Sequence, residues 1–303
     1  MMNFNMKEIH FAGHQTFPLR HIWLTKAYEL YDQQGEQALR NDEKIMMHLG
    51  VGLNMAKSLK HWCESTQIFE KSDSLGYTLT QTGSEIFSST SGDKYLEHLD
   101  TIWLLHYLLV TNHKKNALWF YVFSVFNGNT IHKDQLISNI KSWCTGNSIR
   151  VSDNTIERDF NCFINMYNSE YTRSKSSLES LLVSPFRELK VLERFNGTFQ
   201  LRTMLSTEIS RHLFAFCMLD YLEGQENQKS IPLSNILLDI KSPGRVFRMS
   251  EDVLVDYLED FVKKSNTYDV FSFDSTAGMK QLIVNKKSNL SKYKFLKLLF
   301  KEA

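Results

Sequence analysis

The sequence is short of residues that break helices. Only four prolines and thirteen glycines punctuate its 303 residues, so long helical segments can run uninterrupted. Cysteine is scarce as well. Cys63, Cys144, Cys162 and Cys217 stand far apart and form no CxxC pair. That excludes a disulfide framework and a zinc ribbon, and it fits small buried thiols in a reduced, cytoplasmic protein. Long hydrophobic runs are missing. The longest, Ile102 to Val110, is interrupted by His106 and is too short to span a bilayer, so no membrane partner is expected. The opening MMNFNMKEIH lacks the basic-then-apolar order of a signal peptide. Neither charge sign dominates, with 35 Lys and Arg against 34 Asp and Glu. Any electrostatic recognition must therefore come from segregated patches.

The usual catalytic signatures are absent from the sequence. There is no Walker-type phosphate loop, no GxGxxG, no GxSxG elbow and no HExxH or HxH among the ten histidines. Glu188-Leu-Lys190 has the carboxylate-lysine ending of restriction-type nucleases, but no Pro-Asp precedes it at a matching place.

The composition that remains is 42% hydrophobic and 13% aromatic, enough to build sizeable cores. Periodicity of 3.6 dominates, which predicts a mainly α fold with short β-hairpins. Three times, helices are followed by strand-like segments around a turn. That order predicts tandem winged-helix domains, each a helix-turn-helix plus a wing. The expected layout is a winged-helix DNA-binding domain at 1–90, a connecting helix at 91–113, a second winged-helix-like domain at 114–210 and a third at 211–303 with a basic tail.

In the first of these, Gly50-Val51-Gly52 is a tight turn and Asn54 is a candidate cap for the next helix. Met55, Leu59 and Trp62 share one face of that helix. Asn54, Lys57, Lys60 and His61 supply a polar, basic front suited to a DNA groove; a solvated charged face is the alternative. In the second, Ser152 is the expected N-cap of a helix whose apolar stripe is Ile156, Phe160, Phe163, Ile164 and Tyr167. Asn154, Arg158 and Asn161 lie on its other side, and these are side-chain types that read base edges. Between Val191–Phe195 and Thr198–Arg202, Asn196-Gly197 demands a type I′ turn, because both central residues need positive φ. Arg194 and Arg202 flank this wing. In the third, Ser250 is expected to cap a helix with the acidic side Glu251, Asp252, Asp256, Glu259 and Asp260. Such a front repels phosphate. Asp252, Asp256 and Asp260 have spacings that suit either a divalent cation or a solvated face. Seven lysines between Lys280 and Lys301, interleaved with aromatics, fit either a backbone-tracking tail or an amphipathic terminal helix.

The block FAGHQTFPLRHIWLTKAY, residues 11–28, followed by LGVGLNMAKSLKHW and YTLTQTGSEIF, resembles the bacterial domain-of-unknown-function family numbered 4007. VSDNTIERDFNCFINMY, SPFRELKVLE, SPGRVFRMSED and STAGMKQLIV resemble its later blocks. Members occur in DNA phosphorothioation clusters, which replace a non-bridging phosphate oxygen with sulfur and serve antiphage defence. The resemblance implies a winged-helix DNA-binding protein, similar to the SspB-type DNA nickase (endonuclease) of single-stranded systems, cutting one strand with Mg²⁺ or Mn²⁺. It implies a cysteine desulfurase, an ATPase and an ATP pyrophosphatase as partners beside DNA. A non-enzymatic DNA-binding regulator or scaffold is the alternative, and a homodimer remains open. If the chain nicks, His14 and Arg20 are the candidate catalytic side chains, Lys26 a candidate phosphate contact, and Asp252, Asp256 and Asp260 the candidate metal site. The structural alternative for the same block is a helix begun at Pro18 and capped by Thr16, with His14 and Arg20 tying an N-terminal arm to the domain.

Overall fold

The computed structural model describes residues 9–74, 76–168, 183–225, 228–264, 270–275, 279–285 and 290–302. It is mainly helical with small antiparallel sheets. The chain forms two compact units. One takes the described residues from Ile9 to Val122 and from Phe126 to Arg202; the other takes those from Thr203 onward together with Phe123–Val125.

The first unit starts with α1 (His21–Gln34). The helix begins three residues later than Pro18 predicts, with Arg20 at the N-cap and no side-chain cap. Thr16 cannot serve as the cap because its backbone is left-handed, at φ 67°. Next come α2 (Asp42–Leu49) and α3 (Leu53–Ser65), with Asn41 capping α2 by accepting from the Glu43 and Lys44 N–H groups. Gly50 ends α2 in the left-handed conformation that only glycine adopts cheaply. Gly52, rather than Asn54, holds the N-cap position of α3, so Asn54 sits within the first helical turn. The hairpin β1 (Phe69–Ser72) and β2 (Gly76–Leu79) follows, in the register Phe69↔Leu79.

Short α4 (Gln81–Ile86) leads to α5 (Leu99–Thr111), which is buried from Thr101 to Thr111. A helix apolar on all sides belongs at the centre of a core. Its one interruption, His106, is buried with Nδ1 2.8 Å from the Tyr167 hydroxyl. Helix α6 (Ala117–Phe120) then precedes β3 (Thr130–Ile131), α7 (Lys133–Gly146), α8 (Asp153–Tyr167), β4 (Leu192–Phe195) and β5 (Thr198–Leu201). The three strands pair antiparallel in the order β3-β5-β4. Ser152 caps α8 by accepting the Thr155 N–H. Ile156, Phe160, Phe163 and Tyr167 are buried as the periodicity predicts. Asn196 and Gly197 have φ of 47° and 79°, the two positive values a type I′ turn needs.

The second unit is built on α9 (Arg211–Glu223), buried from Leu213 to Leu219. It repeats the order strand, helices, two strands: β6 (Ser230–Pro232), α10 (Leu233–Leu238), α11 (Pro243–Val246), α12 (Glu251–Lys264), β7 (Phe271–Asp274) and β8 (Gln281–Val284), in sheet order β6-β8-β7. The chain ends in α13 (Lys292–Glu302), which packs on α9. Phe295, Leu296 and Leu299 point inward. Lys292 is tied to Asp220 and Glu223 at 2.5 and 2.7 Å. Part of STAGMKQLIV, residues 276–278, and the lysines 286 and 287 of the tail lie outside the described residues. All four cysteines are buried and free. Among the described residues, no helix is long and apolar enough to cross a membrane.

Candidate functional site

Two features of the first unit bear on function: a buried knot around His14 and the exposed side of α8. The knot begins with backbone geometry. Ala12, Gly13, Gln15 and Thr16 all have positive φ, at 64°, 97°, 49° and 67°. Three of these are non-glycine residues, a conformation that costs energy and persists only when surroundings hold it. The holding group is Asp159 on α8. Its Oδ1 and Oδ2 accept the Ala12 N–H at 3.1 and 3.0 Å, and Oδ1 lies 2.9 Å from His14 Nε2. His14 Nδ1 accepts the Thr16 N–H at 3.1 Å, which leaves the ring proton on Nε2, directed at the carboxylate. His14 is 1% exposed and Asp159 likewise 1%.

Aromatic rings close the knot. His14 stacks on Trp62, with ring centroids 5.9 Å apart and planes 14° apart, and meets the edges of Trp119 and His61. The carbonyl of Phe17 accepts from Trp62 Nε1 at 3.0 Å and from Ser58 Oγ at 3.2 Å. The block from Ala12 to Phe17 therefore ties the inner sides of α3 and α8 together. Gly13 fits because it has no side chain: a Cβ there would lie 2.5 Å from His61 Nδ1. Gly13→Ala is expected to destabilise this unit by about 2–4 kcal/mol, from a steric clash added to left-handed strain. Denaturant titration followed by fluorescence measures it.

His61 departs from its expected place. It does not join the basic front of α3; its ring packs on Trp62 and His14, and Nε2 lies 3.1 Å from Ser65 Oγ. Burial, then the nearness of His14 and Lys115, pushes its pKa down to about 3. Lys60 is drawn to Asp42 at 2.6 Å, whereas Asn54 and Lys57 stay exposed. Arg20 is half-buried over the Trp23 ring, and burial lowers its pKa. Lys26 pairs with Glu29 at 2.8 Å.

The outer side of α8 keeps its expected character. Asn154, Arg158 and Asn161 are exposed. The hairpin β4–β5 is set beside this helix by Phe199, whose ring centroid lies 6.2 Å from that of Phe160. Strand alternation puts Arg194 on the same hairpin face as Phe199, towards α8, and Arg194 is exposed. Arg202 instead anchors the hairpin's base. It donates to the carbonyls of Leu189 and Lys190 at 2.8 and 3.0 Å.

The chain matches the model of a family described as "Protein of unknown function (DUF4007)" over residues 11–300. The chain belongs to the DUF4007 family. The match begins at Phe11, so it takes in the whole knot. Among solved structures, this DUF4007 chain is similar to a magnesium ion-bound SspB crystal structure at 23% identity and a TM-score of 0.80, covering 98% of this chain and 90% of that one. It is similar to a second SspB crystal structure at 23% identity and 0.78, covering 99% and 90%. At that identity the likeness establishes the fold. No curated protein matches the chain.

Two of the carboxylates expected to hold a divalent cation are engaged in ion pairs instead of converging on one point. Asp256 and Asp260 are turned to Arg211, at 2.6 Å from Nη2 and 3.8 Å from Nε. That guanidinium also lies over the Tyr257 ring. It already neutralises two of the three carboxylates in the set Asp252, Asp256 and Asp260. Among the described residues, no three His, Cys, Asp or Glu side chains converge on a metal-sized position. The acidic face of α12 is thus an ion-paired surface.

The residues that sequence reasoning missed are Asp159 and Trp119. Asp159 carried a signal: it is a lone carboxylate one position before Phe160, on the buried stripe of α8. A charge in that place needs a partner.

Proposed function

We propose that this protein binds DNA through the first unit and acts in a DNA phosphorothioation system, nicking one strand so that sulfur can enter the backbone. The observation that carries the DNA reading is the exposed Asn154, Arg158 and Asn161 edge of α8 beside the β4–β5 hairpin with Arg194 at its side. Strand, helix, helix, then hairpin is the order of a winged helix, with α8 as the recognition helix and β4–β5 as the wing. Asparagine and arginine provide bidentate donors for adenine and guanine edges, and Arg194 suits an adjacent phosphate. Helix α3, with exposed Asn54 and Lys57 ahead of the β1–β2 hairpin, has the same order and is the second candidate surface.

The nicking step is supported by the resemblance of the sequence blocks to the SspB-type nickase, and the metal by the likeness of the fold to a magnesium ion-bound SspB. His14 is committed to Asp159 inside the protein. It supports the reading surface from behind α8 and does not approach a scissile phosphate. The same placement, with the ion-paired acidic face of α12, favours a second reading: a non-enzymatic DNA-binding regulator or scaffold that recruits partner proteins.

Gel shifts and plasmid relaxation separate these. On the nickase reading, supercoiled plasmid becomes open circle with Mg²⁺ or Mn²⁺ and stays supercoiled in EDTA. Gel shifts with intact plasmid across metals support the regulator. Duplex that shifts at no salt concentration removes both. Salt dependence locates the surface. Arg158→Ala and Arg194→Ala should each lower the slope of log affinity against log salt by about one. Lys60→Ala should change it less than Lys57→Ala, because Asp42 already neutralises Lys60.

A further inference from the structure

The β4–β5 hairpin carries a large aromatic where an ordinary surface turn carries polar groups. Phe195 is the last residue of β4, directly before Asn196-Gly197, and is 58% exposed. Other phenylalanines near this hairpin are packed: Phe199 is half-buried on Phe160, and Phe186 is fully buried against Tyr167. The tip that presents Phe195 is stiff. Phe195 pairs with Thr198 across the turn, and Thr198 Oγ1 donates to the Phe195 carbonyl at 2.8 Å. Two left-handed residues close the turn. At the base, Leu192 and Leu201 are buried, the Arg202 N–H donates to the Val191 carbonyl, and the Arg202 side chain holds Leu189 and Lys190. An apolar side chain held at the end of a braced arm is organised before any partner arrives, so little ordering entropy opposes its contact.

Charge around the tip favours nucleic acid as that partner. Arg194 is the adjacent residue, and Arg158 stands exposed on the helix the hairpin flanks. Glu193 shares the outer hairpin face with Phe195 but lies two residues further from the tip. Strand alternation sets Arg194 on the α8 side of the tip and Phe195 on the outer side, so the guanidinium can hold a phosphate between wing and helix while the ring at the end of the hairpin meets a base face. We propose that Phe195 is a stacking wedge: when α8 lies in the groove of duplex DNA, the wing tip inserts the ring at a base step and unstacks it. This rests on the DNA-binding reading above and adds deformation to it. A kinked, partly unstacked step is also where one strand is most accessible to modification chemistry.

The test uses the full-length chain and duplexes with 2-aminopurine placed at successive positions. Wild-type protein should raise 2-aminopurine fluorescence severalfold at one or two positions. Phe195→Ala should abolish that rise and weaken binding about 5–100-fold, the range for losing one stacked ring. The salt slope of Phe195→Ala should match wild type, because no phosphate contact is lost; its melting temperature should match too. In Phe195→Trp, the emission gained over the five native tryptophans should be quenched and shielded from acrylamide when DNA is added. Duplex binding by wild type with no 2-aminopurine rise anywhere overturns the wedge and leaves DNA binding intact. An unchanged rise in Phe195→Ala does the same. Absence of any DNA binding by wild type overturns both readings together.

Discussion

Asp159→Ala should lower the melting temperature of the first unit by about 5–15 °C. The substitution removes the acceptor for the Ala12 N–H and for His14 Nε2 at once. Both donors are left in a site that excludes water, with His14 and Asp159 each 1% exposed. Truncating one partner of a buried, charge-assisted pair costs about 2–4 kcal/mol, and a unit of this size loses about 2–4 °C per kcal/mol. Four left-handed residues lose the group that holds them, which adds to the loss. All five tryptophans lie in the first unit, so intrinsic fluorescence reports this transition without interference from the second. His14→Ala should cost a similar amount: it leaves Asp159 with Ala12, but it removes the acceptor of the Thr16 N–H and a buried ring packed on Trp62, Trp119 and His61. The double variant should be less destabilised than the sum by about 1–3 kcal/mol, the coupling of residues in one network. Additive effects would mean that the two do not act as a unit.

That network explains how much of the molecule its sequence disclosed. The hairpin at Asn196-Gly197 was legible because a local dipeptide dictates a local backbone, and φ of 47° and 79° follow. The Ser152 cap and the stripe from Ile156 to Tyr167 were legible for the same reason: helix periodicity is a short-range signal. Asn154, Arg158 and Asn161 fall on the exposed side as complements of that stripe. The start of α1 was misjudged because Pro18 and Thr16 are good local signals overridden by a contact 147 residues away, from Ala12 to Asp159. His61 was placed on the outer front of α3 because its spacing from Lys57 fits. Nothing local revealed that the ring would fill the space left by Gly13. Nor could spacing alone show that Arg211 would engage Asp256 and Asp260. Pairings between distant segments depend on tertiary packing, and one-dimensional patterns carry no record of them.

His61 should make the first unit acid-sensitive, in a direction fixed by its environment. Burial, followed by the nearness of His14 and Lys115, pulls the folded-state pKa down to about 3, against about 6.5 in an unfolded chain. The folded protein thus resists taking a proton that the unfolded chain accepts. Stability is fully present above pH 6.5 and falls as pH drops below it, because the unfolded state then binds more protons. The loss continues towards pH 3, where the folded state begins to protonate as well. Each pH unit in that window removes about 1.4 kcal/mol, so moving from pH 7.5 to 5 should lose about 2 kcal/mol from this residue alone. His61→Gln retains a hydrogen-bonding group near Ser65 Oγ, 3.1 Å from the native Nε2, and cannot titrate. It should be less stable than wild type at pH 7.5, because the Trp62 and His14 ring contacts are lost, yet it should lose less on acidification. The measurement is tryptophan fluorescence in urea at pH 7.5, 6.5, 5.5 and 5. A wild-type slope that His61→Gln fails to flatten would place the acid sensitivity elsewhere. A flattened slope means that the acid sensitivity comes from the proton the unfolded chain takes up at this ring and the folded knot refuses.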